Sequence, residues 1–137
     1  RDKRIDQLIN VFHERCTRQA SKWAKSEKCS DAQLINALQE MERGLTGNAL
    51  GANLYKKRIA VPGAGKSGGW RVIVATKFRG HWFVIHGFAK NVQANIDAQQ
   101  LADLKVLSKA LLSYDDLTIE RAVGIGVIRP ITEGQSK

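Results

Sequence analysis

The middle of this chain concentrates side chains that can bind phosphate groups. Between Arg43 and Ile96 there are nine lysines and arginines and no aspartate or glutamate. This stretch has the same +9 net charge as the whole 137-residue chain, because the flanking segments carry only +1 and −1. Basic charge without interspersed acids is typical of a surface that binds a polyanion, nucleic acid above all. The alternative is a basic surface without a partner, but such surfaces usually mix both signs.

Three consecutive basic residues, Lys56, Lys57 and Arg58, lie in a segment with strand character. Side chains alternate along a strand, so Lys56 and Arg58 share one face and Lys57 lies on the other. Two basic side chains on one face can hold successive phosphates, and arginine can form two parallel hydrogen bonds to each. Three further basic residues fall in the adjoining loop and strands, at the same face or its rim: Lys66, Arg71 and Lys90. The alternative is an edge strand whose lysines prevent aggregation.

His86 and Trp70 could add catalytic and base-stacking groups to this surface. We expect His86 in a strand, on the face of Trp82, Phe88 and Lys90. Nearby positive charge lowers the pKa of a histidine, so His86 is a candidate neutral base near pH 7. The alternative is a half-buried histidine with a structural hydrogen bond. Trp70 stands beside glycines at the end of a loop, where its ring could stack on a base, although most tryptophans pack in the core.

Residues 60–67 resemble a nucleotide-binding P-loop, G-x-x-x-x-G-K-[ST], with Ala60 in place of the first glycine. A P-loop opens a helix, whose N-terminus holds the phosphates. The residues that follow here, 70–78, are rich in β-branched side chains and predict a strand instead. We therefore interpret the glycine-rich segment as a flexible connection between strands that carries Lys66.

Helix and strand signals divide the chain into thirds. Four segments have helical periodicity or capping residues: 17–28, 30–44, 97–112 and 115–123. Three central segments have strand composition: 54–61, 70–78 and 81–89. Short links between these strands predict an antiparallel meander, and 127–131 could add an edge strand because Pro130 excludes a central one. The pattern predicts an α+β domain with helices packed on one face of a small antiparallel sheet.

Length and composition predict a single domain over residues 1–137, with flexible ends at 1–7 and 132–137. No apolar run approaches the ~20 residues that cross a bilayer, and the N-terminus lacks the apolar region of a secretory signal. We therefore expect a cytoplasmic protein, with Cys16 and Cys29 as free thiols. The basic stretch has no carboxylates to hold a metal, so we expect neither a metal nor another cofactor.

The runs YKKRIAVPGAGKSGGWRVIVA (55–75) and FVIHGFAKN (83–91) resemble the RelE/HigB toxins of bacterial toxin–antitoxin systems. In particular they resemble the phage-associated branch, with its K-R-x-x-x-x-G-x-G-K-x-G-G-x-R arrangement. The resemblance covers about residues 30–112. It implies a compact microbial RNase-like fold and ribosome-dependent cleavage of mRNA. It also implies a cognate antitoxin, often with a helix-turn-helix motif, that covers the basic face.

Carried to this sequence, the resemblance places Lys56 and Arg58 at two basic strand positions, Arg71 at the start of the next strand and Lys90 after the third. Asn91 stands where many members have a second arginine. No tyrosine or histidine lies near residue 97, where some members have a stacking or base group. The candidate RNA-binding residues are Lys56, Lys57, Lys66, Trp70 and Asn91.

The resemblance implies a reaction in which the 2′-hydroxyl attacks the adjacent phosphate. Arg71 would stabilise the charge on the phosphoryl oxygens, with Arg58 as a second clamp. Lys90 would protonate the leaving 5′-oxygen or hold it electrostatically, and His86 is the candidate base. Two alternatives remain open: a ParE-like toxin of the same fold that inhibits gyrase, and a non-enzymatic nucleic-acid-binding module. In either toxin case we expect an antitoxin whose toxin-binding segment is acidic.

Overall fold

Helices flank a run of strands in the part of the chain that the structure, a computed structural model, describes: residues 14–61, 63 and 68–132. In chain order the elements are β1 (Glu14–Thr17), α1 (Arg18–Glu27), α2 (Asp31–Glu42), β2 (Asn48–Gly51), β3 (Leu54–Ile59), β4 (Trp70–Thr76), β5 (Trp82–Ala89), α3 (Ala98–Leu112), α4 (Asp116–Gly124) and β6 (Ile128–Pro130). The α+β class predicted from the sequence is confirmed.

The strands form one sheet in the order β2-β3-β4-β5-β1-β6. All neighbouring pairs are antiparallel except β1, which runs parallel to β5. The predicted meander β3-β4-β5 and the edge strand β6 are therefore confirmed. Strands β1 and β2, of four residues each, are not among the predicted strands. β1 buries the polar run ERCT and β2 is mostly exposed, so neither shows the apolar alternation of a half-buried strand.

The helices lie on both faces of the sheet, so the expectation of helices on one face is wrong. Val72 and Val74 of β4 pack in a core cluster with α1 and α2, whereas Ile73 and Ala75 pack in a second cluster with α3 and α4. Alternate residues of a strand point to opposite faces, so a strand that is apolar at successive positions must be covered on both sides. The sequence VIVA at positions 72–75 of β4 is apolar at four successive positions, which indicates a strand covered on both faces.

Local capping fixes where the helices begin. The Ser30 hydroxyl accepts a hydrogen bond from the Gln33 N–H, and the Gln33 side chain accepts one from the Ser30 N–H, which is the predicted capping box at α2. Helix α1 packs closely on β5, because Gly87 lies directly under the ring of Trp23 and a Cβ at Gly87 would overlap that ring. Cys16 and Cys29 are buried free thiols in the first core cluster.

The expectation of flexible ends concerns residues 1–7 and 132–137, which lie outside the described residues except for Thr132. The backbone N–H of Thr132 donates a hydrogen bond to Asp31. Among the helices that the structure describes, none combines the length and apolarity needed to cross a membrane.

Candidate nucleic-acid interface

Two arginines stand directly opposite each other on neighbouring strands. Arg58 of β3 pairs with Arg71 of β4, and Arg71 pairs in turn with Phe88 of β5. Directly opposed side chains lie on the same sheet face with Cβ atoms about 5 Å apart, a spacing at which like charges destabilise the sheet. In residues 14–61, 63 and 68–132, neither guanidinium forms an ion pair. A pair of this kind is stabilised by an anion bound between the two charges.

The backbone before β4 helps to position Arg71. Gly69 has φ +86°, and a Cβ there would lie 2.8 Å from the carbonyl oxygen of Ile59, so this approach of the two strands requires glycine. Nη1 of Arg71 donates to the carbonyl oxygens of Gly68 and Trp70, both at 3.3 Å. Burial lowers the pKa of Arg71, and the charge of Arg58 lowers it further. An anion bound at this pair would oppose both effects.

Lys56 lies in the adjacent row of the same face, opposite Ile73 of β4, which is itself opposite His86 of β5. Its Nζ donates to Oδ1 of Asn95 at 3.2 Å. Asn95 also accepts a hydrogen bond from the N–H of Ile96, so the loop after β5 is held against the basic row. Asn95 is not among the predicted site residues, since nothing in the spacing connects it with a strand some 40 residues earlier.

His86 is half-buried, and burial lowers its pKa. The direction of this pKa shift agrees with the prediction, but its cause is loss of solvent rather than nearby positive charge. Its expected neighbour Trp82 lies on the opposite face, which is a correction. The β4–β5 register shifts at Ile85, because Ile73 pairs with His86 while Val74 pairs with Val84. One extra residue in a strand reverses the faces of the side chains beyond it.

Lys90 follows β5 close to the start of β4. Its backbone N–H donates to the carbonyl oxygen of Gly69 at 3.0 Å, and its Nζ donates to the carbonyl oxygen of Ala94 at 3.0 Å. Asn91, the next residue, is exposed. The loop that begins here therefore brings an ammonium group and an exposed amide to the end of the sheet that carries Arg71.

Lys57 and Trp70 are directed away from this face. Nζ of Lys57 lies 2.8 Å from Oε1 of Glu40, and the ion pair lowers the pKa of Glu40. The predicted alternation of Lys57 with Lys56 and Arg58 is thus confirmed. Trp70 is only 6% exposed, and its Nε1 donates to Oε1 of Glu27 at 2.9 Å. The expectation of an exposed Trp70 ring is wrong, because the ring packs edge-on against Trp23.

Lys66 lies outside the described residues, as does most of the glycine-rich segment around it. The described residues that follow this segment form β4. No helix begins there within the described ranges, so the structure agrees with the rejection of a P-loop. The candidate interface of the described residues is therefore the cluster of Lys56, Arg58, Arg71, His86 and Lys90 on one face and end of the sheet, which we call the basic end.

Comparison with known proteins identifies the family. A family model of the RelE toxin of RelE/RelB toxin–antitoxin systems matches residues 10–131. None of the curated proteins compared with the chain matches it. The family match extends well beyond the segment on which the sequence resemblance rested, and it includes all the described helices and strands. The chain therefore belongs to the RelE toxin family, the toxin component of toxin–antitoxin systems, whose partner is an antitoxin.

Proposed function

We propose that this toxin is an endoribonuclease that cleaves mRNA in the decoding site of the ribosome and so inhibits translation. The observation that carries the proposal is the opposed pair Arg58–Arg71, which has no ion-pair partner among the described residues. Two neighbouring guanidinium groups on one sheet face suit the transition state of phosphoryl transfer, in which negative charge accumulates on the equatorial oxygens.

The proposed reaction needs no group other than side chains of the basic end. His86 accepts the proton of the 2′-hydroxyl as the 2′-oxygen attacks the adjacent phosphorus. The bond from phosphorus to the 5′-oxygen then breaks, Lys90 donates a proton to that oxygen, and a 2′,3′-cyclic phosphate remains. Nε2 of His86 is buried without a hydrogen-bond partner among the described residues, so Nδ1 is the nitrogen that has to reach the hydroxyl. Burial keeps His86 neutral at pH 7, as a base requires.

The remaining residues of the basic end hold the RNA. Lys56 and Arg58 would contact successive phosphates, and Asn95 would keep the Lys56 ammonium in place through their hydrogen bond. Asn91 is exposed beside Lys90 and can donate to a base or a phosphate. Trp70 and Lys57 are left out of the proposed RNA-binding residues, since one is buried and the other is paired with Glu40.

Mapping of mRNA 5′ ends tests the proposal. A translated message is incubated with purified toxin or with Arg71→Ala, and new 5′ ends are located by primer extension. We expect cuts only with the wild-type toxin and only while the message is translated. Intact message together with inhibited gyrase supercoiling would support the ParE-like alternative. Intact message, normal growth and RNA binding that weakens steeply with salt would support a non-enzymatic binding module.

The same surface suggests how the antitoxin acts. We propose that its toxin-binding segment is acidic and covers the basic end, and that the antitoxin carries a helix-turn-helix motif. Charge pairing of this kind speeds association and makes the rate fall with salt. Amine-reactive labelling of the complex tests it, because Lys56 and Lys90 should become protected. If these lysines stay reactive while α1, α2, α3 or α4 becomes protected, the antitoxin binds the helices and blocks the toxin sterically.

A further inference from the structure

A second group of basic side chains lies on helix α1. Arg18, Lys22 and Lys25 recur at a spacing that places all three on one side of the helix. All three are exposed, and no aspartate or glutamate occurs between residues 15 and 26. In the part of the chain that the structure describes, none of the three forms an ion pair. Their positive charge is therefore left unneutralised by the fold.

These three cations are well separated from the basic end. Helix α1 packs over the sheet face that carries Val72, whereas Arg71 points to the other face, because neighbouring residues of a strand alternate. The first strand under this part of α1 is β1, next to the edge strand β6, whereas Arg58 and Arg71 lie on β3 and β4. The two groups of cations therefore cannot bind the same phosphate.

A cavity of about 180 Å³ lies between α1 and the turn that joins α4 to β6. Among the described residues, its walls include no carboxylate, and its polar side chains are Arg18, Ser21, Lys22, Lys25 and Arg129. Long basic side chains cover a surface with their aliphatic stems and keep the charged end in water, so we place the charges at the mouth of the cavity.

Two hydrogen-bond donors of the cavity are held in place by the fold. Nε and Nη2 of Arg18 donate to the carbonyl oxygens of Gly126 and Ile125, at 3.1 and 3.3 Å, which leaves Nη1 without an acceptor among the described residues. Oγ of Ser21 accepts a hydrogen bond from Nε of Arg129 at 2.6 Å. A hydroxyl that accepts in this way still has its own hydrogen to donate.

Asp31, which contacts the cavity wall through Arg129, does not cancel the charge of α1. Its carboxylate accepts from both terminal nitrogens of Arg129 at 2.9 Å and from the N–H of Thr132. Arg129 therefore neutralises Asp31 and positions Ser21. The net positive charge of the cavity comes from the three basic residues of α1.

We propose that this cavity binds a phosphate group at its mouth, with Arg18, Lys22 and Lys25 supplying the charge and Ser21 a hydroxyl donor. Phosphate oxygens accept hydrogen bonds from several directions, which suits donors spread over two turns of a helix. A carboxylate is better matched by the fork of a single guanidinium, and here the backbone carbonyls already occupy two donors of Arg18. The site takes no part in RNA cleavage and does not depend on the proposed function.

An NMR titration of the isotope-labelled toxin with inorganic phosphate tests the proposal, with sodium chloride at the same ionic strength as the reference. The amide signals of Ser21, Lys22 and Lys25 should shift saturably, with a Kd on the order of millimolar. Chloride should produce no saturable shift of these signals. The absence of a saturable response to phosphate at α1 would overturn the proposal.

The double variant Lys22→Gln/Lys25→Gln locates the site. It should weaken phosphate binding at α1 by about tenfold or more, because two charge-assisted hydrogen bonds are lost. Lys105→Gln/Lys109→Gln is the matched control, since it removes the same charge from α3 on the other face of the sheet. The control should change the affinity by less than about twofold. Equal losses in both variants would mean that net charge alone is responsible and would refute the site.

Ser21→Ala separates a binding role of the hydroxyl from a structural one. The substitution removes the acceptor of Arg129 Nε, so a lower Tm is expected in any case. A role as donor to the ligand requires in addition that the folded variant bind phosphate about threefold more weakly or worse. A lower Tm with unchanged phosphate affinity would refute the assignment of Ser21. If Ser21→Ala fails to fold, the lysine pair alone decides the site.

A short 2′-O-methyl RNA, which lacks the hydroxyl needed for cleavage, identifies the source of the phosphate. If this RNA shifts the α1 signals and displaces inorganic phosphate from them, the site binds the RNA backbone and the toxin contacts RNA on two faces. If the RNA shifts only signals of the basic end while inorganic phosphate still binds at α1, the site takes a small phosphorylated ligand. Neither result depends on whether the toxin cuts mRNA.

Discussion

Arg71 and Arg129 are both half-buried arginines at strand positions, yet their surroundings are opposite. Both terminal nitrogens of Arg129 donate to the carboxylate of Asp31 at 2.9 Å, and this hydrogen bonding raises its pKa. Arg71 donates only to backbone carbonyl oxygens and stands opposite another arginine, and its pKa is lowered. The charge of Arg129 is neutralised within the fold, whereas that of Arg71 remains available to an external anion.

The same contrast occurs within the single strand β3. Lys57 forms an ion pair with Glu40 of α2, and its side chain is mostly buried. Arg58, one residue later, is exposed and lacks an ion-pair partner among the described residues. Basic residues of this chain therefore divide into those that join elements of the fold and those whose charge is left for a ligand. Sequence position alone does not separate the two groups.

The largest effect is expected from Arg71→Ala. If the unneutralised charge acts in the transition state, cleavage should fall by about 100- to 1,000-fold, equivalent to about 3–4 kcal/mol. The free energy of unfolding should change by no more than about 0.5 kcal/mol, because no ion pair is removed. Arg71→Lys should recover little activity, since a point charge does not reproduce the guanidinium fork. Full growth inhibition by a soluble Arg71→Ala protein would refute the assignment of Arg71 to stabilisation of the transition state.

Arg129→Met should show the reverse pattern. The substitution removes the guanidinium that neutralises Asp31 and leaves its carboxylate only the N–H of Thr132, so the free energy of unfolding in urea should fall by about 2–3 kcal/mol. Cleavage per folded molecule should stay close to that of the wild type, because Arg129 is distant from the basic end. A large loss of specific activity with unchanged stability would show that Arg129 acts in RNA cleavage rather than in stabilising the fold.

The double variant Lys56→Ala/Arg58→Ala tests the contrast within β3. Affinity for ribosomes or RNA should fall, and the slope of log affinity against log salt should flatten by about one for each phosphate that the variant no longer binds. Lys57→Ala is the matched control. It should leave the slope unchanged but lower the stability, because it leaves Glu40 without its ion-pair partner. An unchanged slope in the double variant would mean that these side chains do not bind phosphate.

Local signals predicted much of the fold and part of the basic end. The capping box at Ser30 and the alternation of Lys56, Lys57 and Arg58 depend on neighbouring residues, and both are found as predicted. The predicted hairpin of β3 and β4 brought Arg58 and Arg71 to one face. Their direct opposition depends on the register across the glycine-rich connection, which the sequence does not specify.

The predictions that were wrong concern side chains whose position depends on contacts with residues distant in the sequence. The bulge at Ile85 has no sequence signature, because isoleucine is common in regular strands, yet it moves Trp82 to the face opposite His86. The glycines beside Trp70 suggested a free ring, but Glu27 and Trp23 of α1 cover it. Arg15 stands between Glu14 and Cys16 in a short polar run, and its burial becomes visible only once β1 lies inside the sheet.

The smallest predicted effect concerns His86, which adjoins the two arginines without sharing their charge. Burial lowers its pKa below the unfolded value of 6.5, so the unfolded chain binds a proton first as the pH falls. Stability should therefore be complete above pH 6.5 and decline below it, by at most about 1.4 kcal/mol per pH unit, until the folded protein is also protonated. Urea titrations of the wild type and His86→Gln from about pH 7.5 to about pH 4.5 isolate this contribution.

Because burial is the cause, the difference between the two proteins should be the same at about 0.05 M and about 0.5 M salt. A difference that vanishes at high salt would show that the charge of Arg58, Arg71 or Lys56 sets the pKa of His86, and that these groups interact with it more strongly than their arrangement in the sheet indicates.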